Sequence, residues 1–293
     1  MLMAPGVPLL WRTARGALSL DRPVVVAILN ATPDSFWDGG RYASTDAAVR
    51  RAGELLEAGA DIVDVGGEST RPGAAPVAGD DEVRRVVPAI EGIVRQWPHA
   101  VLSVDTVKAQ VARAAIDAGA AIINDVSGLR LDPALGTVAA ATHAGLILMH
   151  SRGDVATMAS YELATYGDDV MGDVVSEMTA TVDAARRAGV NDDALVIDPG
   201  LGFSKRSRHS VAVLAQLHRL GALGLPILVG PSRKRFIGDA AGGLPPEQRG
   251  PGTIAACVLA LQAGARIFRV HDAAEVRRAL DLAWAVMNAA GGD

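Results

Sequence analysis

Short apolar runs separated by amphipathic stretches set the rhythm of this chain. Residues 23–30 (PVVVAILN), 61–65 (DIVDV), 101–105 (VLSVD), 122–125 (IIND), 146–150 (LILMH), 195–198 (LVID), 227–230 (ILVG) and 266–270 (RIFRV) are short and rich in Val, Ile and Leu. Such runs predict strands buried on both faces. Helical spacing lies between them, for instance over 111–118, 174–188, 254–263 and 275–287. The first helix is expected from about Ser44 or Asp46, with Val49, Ala52, Leu56 and Gly59 on its apolar face. Ala-Gly-Ala closes a helix before a strand at 58–60, 118–120 and 263–265. Glycine there takes the left-handed turn that reverses the chain. The unequal spacing of these echoes rules out a solenoid.

Eight strands, each followed by a helix, predict an α/β fold, the (β/α)8 TIM barrel. Residues 23–290 would form this single domain, and 1–22 a lead-in or hairpin pinned by Trp11. The competitor is an open doubly wound sheet, but the GxGxxG phosphate turn it usually carries is missing after Leu29. At 293 residues and 49% hydrophobic content, the chain can bury a large core.

Composition narrows the partners. A net charge of -5 with both signs mixed throughout gives no basic face for nucleic acid and no polybasic membrane signal. No apolar run is long enough to span a bilayer. The first fifteen residues carry their charges after the apolar part, the wrong order for a signal peptide, so a cytoplasmic location is expected. A single Cys257 excludes an intramolecular disulfide and reads as a buried structural thiol. His99, His143, His209 and His218 read as structural or solvated, and Asp168-Asp169 as a helix start.

In a barrel the loops after the strands converge on one face. Here they carry Asn30; Thr70 and Arg71; Asp105; Asn124 and Asp125; Met149 and His150; Asp198; Ser232, Arg233 and Lys234; and Arg269, His271 and Asp272. Any one of these is explained by capping; eight polar strand ends together are not. Arg71, Ser232, Lys234, Arg269 and His271 form a donor set suited to phosphate or diphosphate. Asp105, Asn124 and Asp198 are acceptors suited to the N–H-rich edge of a flat heterocycle. Nothing resembles a Ser-His-Asp or Cys-His nucleophile system. Clustered carboxylates require a metal ion, a cation or a proton to offset them.

In order, ILNATPDSFWDGG (28–40), DVGGESTRPG (64–73), SVDT (103–106), INDVSG (123–128), LMH (148–150), DPGLGF (198–203), SRK (232–234) and RVHD (269–272) resemble the dihydropteroate synthase family of folate biosynthesis. The resemblance implies a transferase that condenses 6-hydroxymethyl-7,8-dihydropterin diphosphate with 4-aminobenzoate, by an SN1-like path with Mg2+, in a homodimer targeted by sulfonamides. It implies that Asp105, Asn124, Asp198 and Lys234 hold the pterin, with Met149 and Phe203 near its ring. Asn30 would bind Mg2+ and sit by the diphosphate, which Thr70, Arg71, Arg269 and His271 would take. Phe36, Pro72, Ser232 and the backbone near Arg233 would form the aminobenzoate pocket. Lys234 and Arg71 would act in catalysis. Asp38 is a candidate either for stabilising the cation or for capping a turn. Loops 31–40 and 68–73 would close over the site.

Trp37, Pro231, Ser204 and Val155 depart from the residues common in the family, and none of them removes a charged site residue. Two alternatives are a pterin-binding methyltransferase domain, which has no need of the cationic set, and a non-catalytic pterin-binding paralogue, which would have lost Arg71, Lys234 or Arg269.

Overall fold

The computed structural model describes residues 9–31, 41–69 and 76–289; for residues 41–44 it describes the backbone alone. Two short strands, β1 (Leu10–Thr13) and β2 (Gly16–Ser19), pair as an antiparallel hairpin. Eight parallel strands follow: β3 (Val24–Asn30), β4 (Ile62–Gly66), β5 (Val101–Asp105), β6 (Ile122–Asp125), β7 (Gly145–Met149), β8 (Leu195–Asp198), β9 (Leu228–Val229) and β10 (Ile267–Val270). Their order in the sheet is β8-β7-β6-β5-β4-β3-β10-β9. A parallel bridge between Ile197 and Ile227 joins β8 to β9, so the sheet closes into the expected (β/α)8 barrel.

Period-two alternation sorts each strand's side chains. Val25, Ala27, Val63, Val65, Leu102, Val104, Ile123, Leu146 and Leu148 face out and join the helices in the larger core. Val24, Val26, Ile62, Ile122, Ile147, Val196, Leu228 and Ile267 face in and fill the amino-terminal half of the barrel. Higher up, the inward positions turn polar. Asp64 and Ser103 share one register line, and Asn30, Gly66, Asp105 and Asn124 share the next. An apolar plug below a polar layer is what gives the barrel a floor.

The hairpin stoppers the lower end. Trp11 is fully buried in the inner cluster and donates its indole N–H to the Ala194 carbonyl at 3.0 Å. The Ala14 N–H reaches the Ala121 carbonyl at 3.1 Å. Gly145 admits the ring: a Cβ there would lie 3.1 Å from it.

The helices among the described residues are α1 (Arg41–Glu57), α2 (Gly79–Gln96), α3 (Ala109–Asp117), α4 (Ala134–Thr142), α5 (Val170–Arg187), α6 (Ser207–Ala215), α7 (Arg235–Ala240), α8 (Gly250–Gln262) and α9 (Ala273–Ala289). α1 starts at Arg41, ahead of the Ser44 or Asp46 expected. Its buried face is Ala48, Ala52 and Leu55, with the expected Val49 and Leu56 partly buried against the same core. α2 carries Pro88 inside it. The three Ala-Gly-Ala glycines have φ of +90, +114 and +107°, the left-handed reversal anticipated. Asp169 caps α5, accepting the Gly172 N–H at 3.0 Å, as its pairing with Asp168 suggested. Cys257 is buried, and burial pushes its thiol up to about 12.

Candidate active site

At the carboxyl ends of the strands lies a cavity of about 820 Å3. Asn30, Asp105, Phe203, Ser232, Arg233, Lys234, Arg269 and His271 line it, so eight of the expected residues share one mouth. Asn124, Met149 and Asp198 sit at its buried margin. Asn124 donates to Asp64 at 3.1 Å, Met149 packs with Phe203, and the Asp198 carboxylate lies within 3.9 Å of a Cβ built on Gly230. Phe36, Asp38, Thr70, Arg71 and Pro72 lie outside the described residues.

Arg269 occupies the centre. Its Nε donates to Asp64 Oδ2 at 2.6 Å and one terminal nitrogen to Asp105 Oδ2 at 2.7 Å. The cation expected on the diphosphate flank is thus interlocked with the acceptor flank. Burial opposes the Arg269 charge, but Asp64 and Asp105 outweigh it and hold the guanidinium protonated above its usual range. Asp105 is raised to about 7, chiefly by burial, with Arg269 opposing and Asp64 adding repulsion. Asp198 rises to about 6, again through burial, against the Gly200 N–H bond at 2.7 Å and the Lys234 charge.

Lys234 stands at the position just before α7, and its ammonium sits 3.6 Å from the centre of the Phe203 ring. Burial, with Arg269 nearby, lowers it to about 8. Gly202 permits that approach: φ there is +80°, and a Cβ would meet Lys234 Cδ at 3.0 Å. Ser232 Oγ accepts the His271 backbone N–H at 3.2 Å and is hydrogen-bonded to Nδ1 of the same residue's ring at 2.9 Å. Burial and Arg269 lower His271 to about 4, so the ring is neutral near pH 7. Arg233 is held by Asp272 through two nitrogens, the shortest contact being 2.7 Å.

The pterin binding enzyme profile matches residues 26–271. Bacillus subtilis dihydropteroate synthase is 42% identical over 280 residues, covering 95% of this chain and 94% of that one. The chain belongs to the dihydropteroate synthase family. Solved structures of the family superimpose closely. The Xanthomonas albilineans enzyme with 4-aminobenzoic acid gives a TM-score of 0.88 at 45% identity, covering 96% of this chain and 99% of that one. The Burkholderia cenocepacia enzyme with 7,8-dihydropteroate gives 0.86 at 40% identity, covering 97% and 98%.

Two residues of the family fold escaped the reading of strand ends. Asp64 is fully buried, held by Ser103 at 2.5 Å as well as by Asn124 and Arg269. It lies two residues before the end of β4, and alternation with Ile62 and Gly66 was the signal that placed it inward. Lys205 is 1% exposed in a loop, where a lysine signals nothing of the kind. Asp125, by contrast, faces outward beside the inward Asn124. It accepts the Ser127 and Leu129 N–H groups at 2.8 and 2.5 Å and so holds a turn.

The donors also bear on the metal that the family resemblance implies. Asn30 stands on the cavity wall, and no cluster of three acidic, His or Cys ligands occurs among the described residues. One amide oxygen fits a Mg2+ that arrives with diphosphate and keeps its remaining ligands from phosphate and water.

Proposed function

We propose that this chain condenses 6-hydroxymethyl-7,8-dihydropterin diphosphate with 4-aminobenzoate, releasing diphosphate and giving 7,8-dihydropteroate. The observation that carries this reading is the cavity in which Asp105, Lys234, Arg269 and the Ser232–His271 pair meet, with the buried acceptors Asn124 and Asp198 at its margin. Ionised Asp198 accepts the N–H edge of the heterocycle, while Asn124 and Asp105 take the neighbouring polar atoms. Met149 and Phe203 cover the ring. Breaking the methylene C–O bond sends its electron pair to diphosphate, where Arg269, Lys234 and the His271 ring meet the growing charge. The electron-rich pterin spreads the positive charge left on carbon, so no protein nucleophile is needed. The aminobenzoate nitrogen then supplies its lone pair to that carbon and sheds a proton.

Bound Mg2+, held by the Asn30 oxygen, would supply further neutralisation of the leaving group. Thr70 and Arg71 are proposed at the diphosphate, and Phe36, Pro72, Ser232 and Arg233 at the aminobenzoate. Asp38 is proposed beside the developing cation. Closing loops exclude the water that would otherwise capture it.

The enzyme is further proposed to be a cytoplasmic homodimer. Leu282 and Val286, one turn apart on α9, are 67% and 62% exposed, and Leu259 on the packed helix α8 is 56% exposed. A second copy would cover this patch. The reaction is tested with purified chain, both substrates and Mg2+, reading diphosphate release. Turnover is expected in the wild type and its loss in Lys234→Ala, with unchanged far-ultraviolet circular dichroism; a folded wild type that releases nothing defeats the proposal.

A further inference from the structure

From Lys205 on the cavity wall beside Phe203 runs a chain of polar groups that the reaction above does not use. Lys205 Nζ touches His150 Nδ1 at 2.8 Å and the carbonyls of Gly200 and Phe203 at 3.2 Å each. Three acceptors surround a group that, as an ammonium, has three hydrogens to give. With Nδ1 accepting, His150 carries its proton on Nε2 and donates it to Glu177 Oε2 at 3.1 Å. Glu177 is gripped in turn by Arg152 through two nitrogens. The reverse tautomer would aim a bare Nε2 at the Glu177 carboxylate, so the polarity of the chain runs one way. Burial and the neighbouring Lys205 charge keep the His150 ring neutral, near 4. Burial alone would raise Glu177, but the His150 and Arg152 bonds win and bring it to about 2.

The chain ends on the turn that carries the pterin contacts. Gly200 and Phe203 belong to the segment between Asp198 and the ring of Phe203, and the Gly200 N–H is itself bonded to Asp198. That turn has no slack: Gly200 has φ of +65°, and a Cβ there would fall 2.0 Å from the His150 carbonyl oxygen. Lys205 therefore ties two carbonyls of one turn to a histidine at the end of a different strand. Through Glu177 the tie reaches α5, on the outside of the barrel.

We infer that Lys205 is a positioning residue for the pterin substrate: anchored through His150 to Glu177, it sets the turn that places Asp198 and Phe203. This rests on the assignment of the pterin to the Asp198 side of the cavity. Burial lowers the Lys205 ammonium to about 7, with the Asp198 charge opposing, and an amine so tied to carbonyls fixes geometry that no apolar replacement reproduces. Its charge also favours the ionised form of Asp198. The titratable and charged groups around Lys205 are His150, Arg152, Tyr166, Glu177, Asp198, His209 and Lys234. Of these, Asp198 and Lys234 face the substrate.

The test compares wild type, Lys205→Met, Lys205→Arg and Glu177→Gln. Affinity for 6-hydroxymethyl-7,8-dihydropterin diphosphate is measured by titration calorimetry, and kcat and both KM values by diphosphate release. Lys205→Met is expected to weaken pterin binding by about tenfold while the aminobenzoate KM stays within about twofold. Its acid limb of pterin binding should move to higher pH, because Asp198 loses a neighbouring positive charge. Lys205→Arg should recover part of the loss. Glu177→Gln, which touches no substrate, should weaken pterin binding by about threefold.

Wild-type pterin affinity in a folded Lys205→Met, or equal rises in the two KM values, overturns the inference. If Lys205→Met does not fold, Glu177→Gln decides: pterin affinity equal to wild type overturns it. Asp198→Asn serves as the reference. Should that variant bind the pterin as wild type does, the placement of the substrate itself fails, and the inference with it.

Discussion

Asp64 and Asp105 sit on adjacent strands and share one arginine, and this triad decides what the pocket can hold. Removing the Asp64 charge leaves Arg269 with Asp105 alone, so the guanidinium is expected to swing away from its central place. Asp64→Asn should therefore lower kcat/KM by roughly a hundredfold and leave the helical signal intact, measured by diphosphate release beside circular dichroism. Gly202→Ala is the steric counterpart. It forces a side chain onto a left-handed φ and against Lys234, and should cut turnover by about tenfold or more in the same assay. The pH dependence follows from Asp198 at about 6 and Asp105 at about 7. Pterin affinity should rise from pH 5 to pH 7 as both ionise, a trend that titration calorimetry checks directly. For stability the sign is opposite. A carboxyl raised by burial contributes stability that is full below about pH 4 and lost as pH climbs through the folded value. Asp198→Asn should thus gain unfolding midpoint relative to wild type between pH 4 and pH 7.

Each strand does two jobs, and alternation is what separates them. On β5, Leu102 and Val104 hold the helices while Ser103 and Asp105 face the axis; on β6, Asn124 enters the site and Asp125 fixes a turn. Strand positions and their ends were legible because buried β-branched runs bounded by glycine are unambiguous at this length. All eight predicted strands occur within a residue or two of their expected limits. Helices were less so. A helix after every strand was expected, but α7, at six residues, carries too few turns to show a period. The β1–β2 hairpin acts as a stopper, and its weight falls on one ring. Trp11→Ala opens a void at the bottom of the barrel and should cost about 3–5 kcal/mol, read from urea unfolding.

At the scale of the whole molecule, closure of the sheet brings residues more than two hundred positions apart into contact, as Arg269 and Asp64 are. The exposed leucine and valine side chains of α8 and α9 belong to this scale too. Leu282→Asp combined with Val286→Asp should convert the proposed dimer to a monomer in light scattering, while wild type runs at twice the chain mass. The amino-acid sequence by itself determined the barrel, the order of its strands and the polar residues at their tips. Local chemistry is sufficient for these, since a strand, a reversing glycine and a strand-end carboxylate are each written within a few residues. Only the tertiary structure decided that Arg269 bridges two carboxylates, that Asp64 lies beneath the site, and that a loop lysine is buried against His150. Those depend on which side chains meet across the barrel axis, and on how much water closure leaves them, neither of which is encoded in neighbouring residues.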